Sequence, residues 1–405
     1  MLRKNQLDYI FVIFRQCRIR EVLLKKIVLL SGLLLAISQS ALAMEWNVSG
    51  FASLVAGRIV SGESGDYMER VSGYDCPCFV GDFANVGVYE GNSWDAGPDS
   101  RAGVQLDGRF TDGLAFSTQV VGHGGDNMKP ELSALYLSWQ ATDELALKLG
   151  RQRLPLFYYS DFYDVGYAYP WIRVPTDLYG WPINSYNGAS LTYADDLGDG
   201  NFRLHLLMGE EEENDNRMYA KLYYGSKEFL TDWKNIVGLV SSYQYDWFDL
   251  RLAVISNDVY AVADYGVGGK YVAADHIRQD FAGFAFNVDY RNLLFRTEFN
   301  AFRQPELDFT SQAKMLSLGY RIGSVTPMLM YSRYDDDDAD FGTGEARTRS
   351  VVVRWDFMKN LALKVQYDVI RDGSNWIDQS TVPVTVYDHF VGNTRLFALG
   401  VDYVF

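Results

Sequence analysis

The chain ends Phe397-Ala398-Leu399-Gly400-Val401-Asp402-Tyr403-Val404-Phe405, and the alternation in this stretch decides the fold. Phe397, Leu399, Val401, Tyr403 and Phe405 share one face, wholly apolar and aromatic, while Ala398, Gly400, Asp402 and Val404 share the other. A period of two is that of a β-strand, whose successive side chains point to opposite sides of a sheet. The same period recurs upstream. Ala102, Val104, Leu106 and Phe110 alternate with Arg101, Gln105, Asp107 and Arg109; Phe295, Thr297 and Phe299 alternate with Arg296, Glu298 and Asn300. Val351, Val353, Trp355 and Phe357 alternate with Ser350, Val352, Arg354 and Asp356, and a further run from Leu361 to Val369 sets Lys364, Gln366 and Asp368 on its polar side.

A soluble sandwich also alternates, so the connections carry the distinction. Sixteen strands are predicted, near 45–60, 99–110, 113–122, 132–140, 144–151, 187–194, 201–208, 235–245, 248–256, 281–290, 293–302, 313–322, 325–334, 348–357, 361–370 and 395–405. Links after even-numbered strands are short and turn-like, as in Thr111-Asp112-Gly113 and Arg291-Asn292; links after odd-numbered strands are longer. A sandwich has no reason to sort its loops by parity. Short periplasmic turns on one rim, long extracellular loops on the other and an even strand count are the layout of an all-β transmembrane antiparallel barrel. Met218 to Gly225 reads either as a strand continuation or as part of the fourth long loop, and the parity survives either choice.

Composition agrees with a strand-built membrane protein. Aromatics make up 15% of the chain with 28 Tyr, yet beyond residue 43 there is no apolar run of the roughly 20 residues that a spanning helix needs. Lys25-Lys26, the apolar run Ile27 to Ile37 and the small-residue triplet Ala41-Leu42-Ala43 read as a secretory signal peptide cleaved before Met44. Residues 1–43 are therefore assigned to the signal peptide and 44–405 to the barrel. Residues 1–24 are long for such a peptide, and a translation start near Val22 or Leu23 is the expectation. Removing residues 1–43 takes seven basic and two acidic groups from the 37 and 52 in the chain, leaving 30 and 50, net −20. So acidic a chain has no bulk charge for nucleic acid, whose phosphates need a basic face.

With these features in place, the chain resembles the Gram-negative outer-membrane porins of the general, sixteen-stranded kind. Phe397, Leu399, Val401, Tyr403 and Phe405 look like the C-terminal signal by which such barrels are recognised for assembly, and Gly150-Arg151-Gln152 precedes a long third loop as in that family. The resemblance implies a bacterial outer-membrane location after export through the periplasm, the barrel-assembly machinery and membrane lipid as partners, a homotrimer, and a third loop, near 152–186, folded into the channel. That loop carries eleven aromatics between Leu154 and Tyr186, too many for a solvated loop. Its ionisable residues Asp161, Asp164, Arg173 and Asp177, with Arg151 and Arg153 at its root, are the candidates for a constriction with a transverse field. An external aromatic cap with solvated charges is the alternative.

Strand periodicity assigns Arg101, Arg109, Lys148, Arg203, Arg251, Arg296, Glu298, Arg354 and Lys364 to the lumen. Glu210 to Glu213 with Asp215, and Asp335 to Asp338 with Asp340, suit a solvated anionic rim; a calcium loop would need spaced ligands and a turn glycine. Cys76-Pro77-Cys78 leaves three readings open, an adjacent-pair disulfide, a metal clip or two free thiols. The four histidines His123, His205, His276 and His389 are scattered, and no serine sits in a nucleophile elbow. We expect no enzyme and no cofactor, but passive diffusion of small hydrophilic solutes and ions, weakly anion-preferring at high salt. A substrate-selective channel for an anion, phosphate or sugar is the alternative, ahead of a barrel enzyme or surface-interaction protein. Deleting Phe405, or replacing it with Asp, should lower the amount of heat-modifiable barrel recovered from the outer membrane. A lipid-facing charge costs about 2–4 kcal/mol at mid-bilayer and less near the interface, so a large loss would reflect recognition rather than stability.

Overall fold

The computed structural model describes residues 45–337, 342–378 and 385–405. The expected signal peptide and start site lie outside the described residues, as do Asp338 and Asp340 of the second acidic cluster. Sixteen strands form the wall: β1 (Glu45–Gly62), β2 (Arg101–Thr111), β3 (Leu114–His123), β4 (Lys129–Gln140), β5 (Leu145–Arg153), β6 (Ser185–Leu197), β7 (Gly200–Glu213), β8 (Glu228–Tyr245), β9 (Phe248–Asp264), β10 (Lys270–Tyr290), β11 (Leu293–Gln304), β12 (Phe309–Tyr320), β13 (Val325–Asp337), β14 (Glu345–Met358), β15 (Leu361–Asp372) and β16 (Thr394–Val404). Each pairs antiparallel with its sequence neighbours, and β1 pairs with β16 to close the barrel. Closure leaves no open edge, which a lipid-facing sheet requires.

The seam is made by the decisive stretch itself. Leu54 lies opposite Val401 and Ala52 opposite Tyr403, in one register from Phe51↔Val404 to Ile59↔Leu396. Phe405 extends the ladder by one residue, its N–H and C=O exchanging hydrogen bonds of 3.0 and 3.1 Å with Gly50. The Phe405 ring lies over the Gly50 backbone, in the space a Cβ there would fill.

Alternation sorts the two faces as expected. Leu54, Val104, Leu149, Met208, Val254, Leu318, Leu329 and Val351 are exposed on the outside. Trp46, Trp139, Trp247, Tyr290, Tyr320, Trp355 and Tyr403 gather near the short-turn rim, where amphipathic rings suit the headgroup level. No helix among the described residues is long and apolar enough to cross a membrane.

Some strands run longer than the sequence reading, and two readings left open there are decided. β9 and β10 run on to Asp264 and back from Lys270, still paired at Val262↔Val272, so His276 sits on a strand. Above the membrane no lipid selects one apolar face, so hairpin pairing continues after the alternation fades. Met218 to Gly225 belongs to the fourth loop, with a helical turn at Tyr219–Tyr223. Cys76 and Cys78 are joined by a disulfide in the first loop, beside the short hairpin Cys78–Asp82 and Gly87–Glu90. Since Leu329 is exposed mid-strand between Leu318 and Val351, Leu329→Arg should destabilise the reconstituted barrel by about 2–4 kcal/mol in reversible denaturant unfolding from vesicles.

Candidate functional site

The third loop, residues 154–184, lies inside the barrel. Its aromatics form the centre of the largest buried cluster: Tyr159, Tyr169 and Trp171 pack together with wall residues such as Ile255, Phe281, Met315 and Val352. Tyr159 meets Trp171 edge-on at 5.5 Å and Tyr169 at 5.8 Å between ring centroids, the geometry the ring quadrupoles prefer.

Inward-facing wall cations hold the loop by its backbone. Lys364, fully buried on β15, donates to Gly166 O at 2.6 Å and Trp171 O at 2.8 Å, and pairs with Asp402 at 2.7 Å. Arg354 donates to Tyr167 O at 2.7 Å and Tyr169 O at 3.0 Å, Arg101 to Asp164 O at 2.9 Å, and Arg251 to Leu156 O at 3.0 Å. Glu298 accepts from Tyr158 N at 3.0 Å and from the Tyr179 hydroxyl at 2.6 Å. A Cβ at Gly166 would lie 2.4 Å from both Ser53 Oγ and Asp402 Oδ1, so the loop meets the β1–β16 seam at a residue that has none.

Three of the loop's own ionisable groups are also engaged. Arg173 donates to Asp99 through Nε at 2.9 Å and Nη2 at 2.6 Å, and to Asp368 through Nη1 at 2.5 Å, with all three side chains buried. Asp164 is held by His123 at 2.8 Å and by Arg153, and Asp177 accepts from Ser332 Oγ at 2.5 Å. Burial pushes the Asp177 carboxyl up against that hydrogen bond. At Asp99 burial also works upward, but the bonded Arg173 charge and the Tyr89 hydroxyl outweigh it and hold the carboxyl below its ordinary range. Arg151 shares the alternate set of the exposed Leu147 and Leu149, and its guanidinium is bound to Leu132 O at 2.7 Å and to Glu211 at 2.6 Å.

These contacts correct the expected constriction and lining sets. Of Arg151, Arg153, Asp161, Asp164, Arg173 and Asp177, only Asp161 is exposed. Arg101, Arg251, Arg354, Lys364 and Glu298 do face inward but are spent on the loop. Arg109 pairs with Glu45 at 3.5 Å at the short-turn rim, and Arg296 with Asp289 at 2.9 Å. Periodicity finds the inner face but not what packs on it. Asp99, which neutralises Arg173 together with Asp368, belonged to neither set; Asp368 was legible from its inward position on β15, two residues from Gln366, which caps Ile172 N at 2.9 Å.

The loop covers one side of the lumen and leaves the other wet. Against it, Ser332, Lys364, Gln366 and Asp368 have 0–1% exposure. Across the barrel the inward positions of β3 to β7, Gln119, Tyr136, Lys148, Thr192, His205 and Arg203, are partly or fully exposed. Asp161 is the exposed ionisable residue of the loop. Among the described residues no cluster of His, Cys, Asp or Glu is arranged to hold a metal ion.

This geometry has counterparts among solved structures. The outer-membrane channel DcaP of Acinetobacter baumannii superposes over 89% of this chain and 97% of its own, with a TM-score of 0.56 and 11% identity. The anion-selective porin from Comamonas acidovorans gives 89% and 100%, TM-score 0.56, at 13% identity. OmpT of Vibrio cholerae in its trimer form gives 89% and 99%, TM-score 0.52, at 11%. The fold is that of the outer-membrane porins. No family profile and no curated protein sequence matches the chain, so the porin fold is carried here by structure at a level of identity that leaves function to the site.

Within that porin fold, the buried Asp99–Arg173–Asp368 cluster is the tie that fails most expensively. Arg173→Met leaves two carboxylates buried without their cation, a loss of about 3–5 kcal/mol, and should expose the third loop to protease in a barrel that remains heat-modifiable. Because the Asp99 pKa is depressed, its contribution is complete above the ordinary carboxyl pKa of about 3.9. It is lost as pH falls below that value through the folded one. Wild-type loop protection should therefore keep the Asp99 contribution at neutral pH and lose it in that acidic range.

Proposed function

We propose that the chain forms an aqueous channel in the bacterial outer membrane through which small hydrophilic solutes and ions diffuse passively. The observation that carries this reading is the division of the lumen: an aromatic loop tied down on one side, and a strip of solvated polar side chains on the other. A barrel that served only as a scaffold would have no reason to keep that strip accessible. In this reading Asp161 faces the β3–β7 wall across the passage, with Lys148, Arg203 and His205 as the basic side. Low-dielectric walls strengthen these charges relative to bulk water. At about 0.15 M salt the screening length is about 8 Å, so the acidic residues of the wide mouth act chiefly at low salt. A homotrimer, with passage through the barrel-assembly machinery, completes the reading; the trimer form in which the Vibrio cholerae protein was solved is the structural support for it.

Single-channel recording tests it. Wild-type protein should give steady, ohmic openings in planar bilayers, and replacing residues 158–171 by a short Gly-Ser linker should raise the conductance. A folded deletion mutant with unchanged conductance would refute the inward constriction. Lys148→Gln with Arg203→Gln should move the zero-current potential in a potassium chloride gradient toward cation preference. Neutralising Arg151, Arg153 and Arg173, each compensated by a carboxylate, should loosen the loop without a comparable shift.

A further inference from the structure

Between the long loops and the third loop lies a cavity of about 300 Å³, within the range of sites that bury small organic ligands. Two aromatic groups line it. On one side Phe390 of the eighth loop stacks with Tyr223 of the fourth at 5.2 Å and with Trp376 at 5.3 Å. On the other, Trp181 of the third loop meets Phe302 of β11 edge-on at 4.3 Å. Among the described residues the lining includes Asp177, Asp336 and Asp372 but no Lys, Arg or His.

The two outer carboxylates are held in place by hydrogen-bond donors. Asp372 accepts three backbone N–H groups, from Ser374 at 2.9 Å, Val391 at 2.7 Å and Gly392 at 3.0 Å. Asp336 accepts the Tyr334 hydroxyl at 2.9 Å and the Gly344 N–H. Donors to a carboxylate stabilise its charge. Aromatic faces add their negative quadrupole, and a concave apolar wall focuses the combined field. An anion would meet like charge, with no Lys, Arg or His among the described lining residues. A neutral sugar could stack on the rings but would gain little from the charge.

We infer that this vestibule binds organic cations that present a ring or a quaternary ammonium group, and so concentrates them at the channel mouth. The mouth assignment rests on the channel reading above; the binding site does not. The probe is benzyltrimethylammonium, compared with benzyl alcohol, benzoate and maltose, by calorimetry on the purified full-length barrel in detergent and by current block in bilayers. The cation should bind and block, more weakly as salt rises, while the three comparators should do neither. Asp336→Asn and Trp376→Leu should each weaken the cation roughly tenfold, the scale of one partly desolvated cation–π or charge contact. The proposal fails if folded wild-type protein gives no heat with the cation, if benzyl alcohol or maltose binds as tightly, or if both folded variants bind as the wild type does. Should Trp376→Leu lose its heat-modifiable fold, Trp181→Leu on the opposite wall takes its place. Cation binding without any conductance would refute the channel and leave the site; conductance without binding would do the reverse.

Discussion

Inside a bilayer no water is available to the backbone, so every N–H and C=O that crosses the hydrocarbon must find its partner in the protein. A closed ring of sixteen antiparallel strands meets that condition, and the β1–β16 seam is where it is met last. From closure the rest follows. The outer face must be apolar, the inner face is free to be polar, and the ring encloses more space than the wall side chains alone occupy.

How that space is divided determines what the molecule can do. The third loop enters as a strongly aromatic segment whose rings pack on one another and on the wall. Its backbone carbonyls, which water would otherwise solvate, are taken up by Lys364, Arg354, Arg101 and Arg251. A cation that donates to two carbonyls and faces a carboxylate is locally compensated, so it contributes little to the field a passing ion feels. These residues position the loop. That is why basic side chains of the same face, separated by a few strands, have different roles.

The aromatic cavity lies where the long loops meet the third loop. Its rings come from the third, fourth and eighth loops and from β11, so it exists only when the loops meet over the lumen.

The sequence by itself determined the class of fold, because a lipid-facing strand imposes a period of two on residues next to one another in the chain. It also determined the parity of the loops, the aromatic closing strand and the unusual aromatic content of the third loop, since each is written in contiguous residues. Tertiary structure alone decided which inward charges are spent and which are free. Arg173 is neutralised by Asp99 and Asp368, one from each of two distant segments, and Arg151 turned out to be tied to Glu211 rather than to line the passage. Such pairings depend on where the third loop comes to rest against the wall. Periodicity is a local property of the chain and carries no record of that landing place.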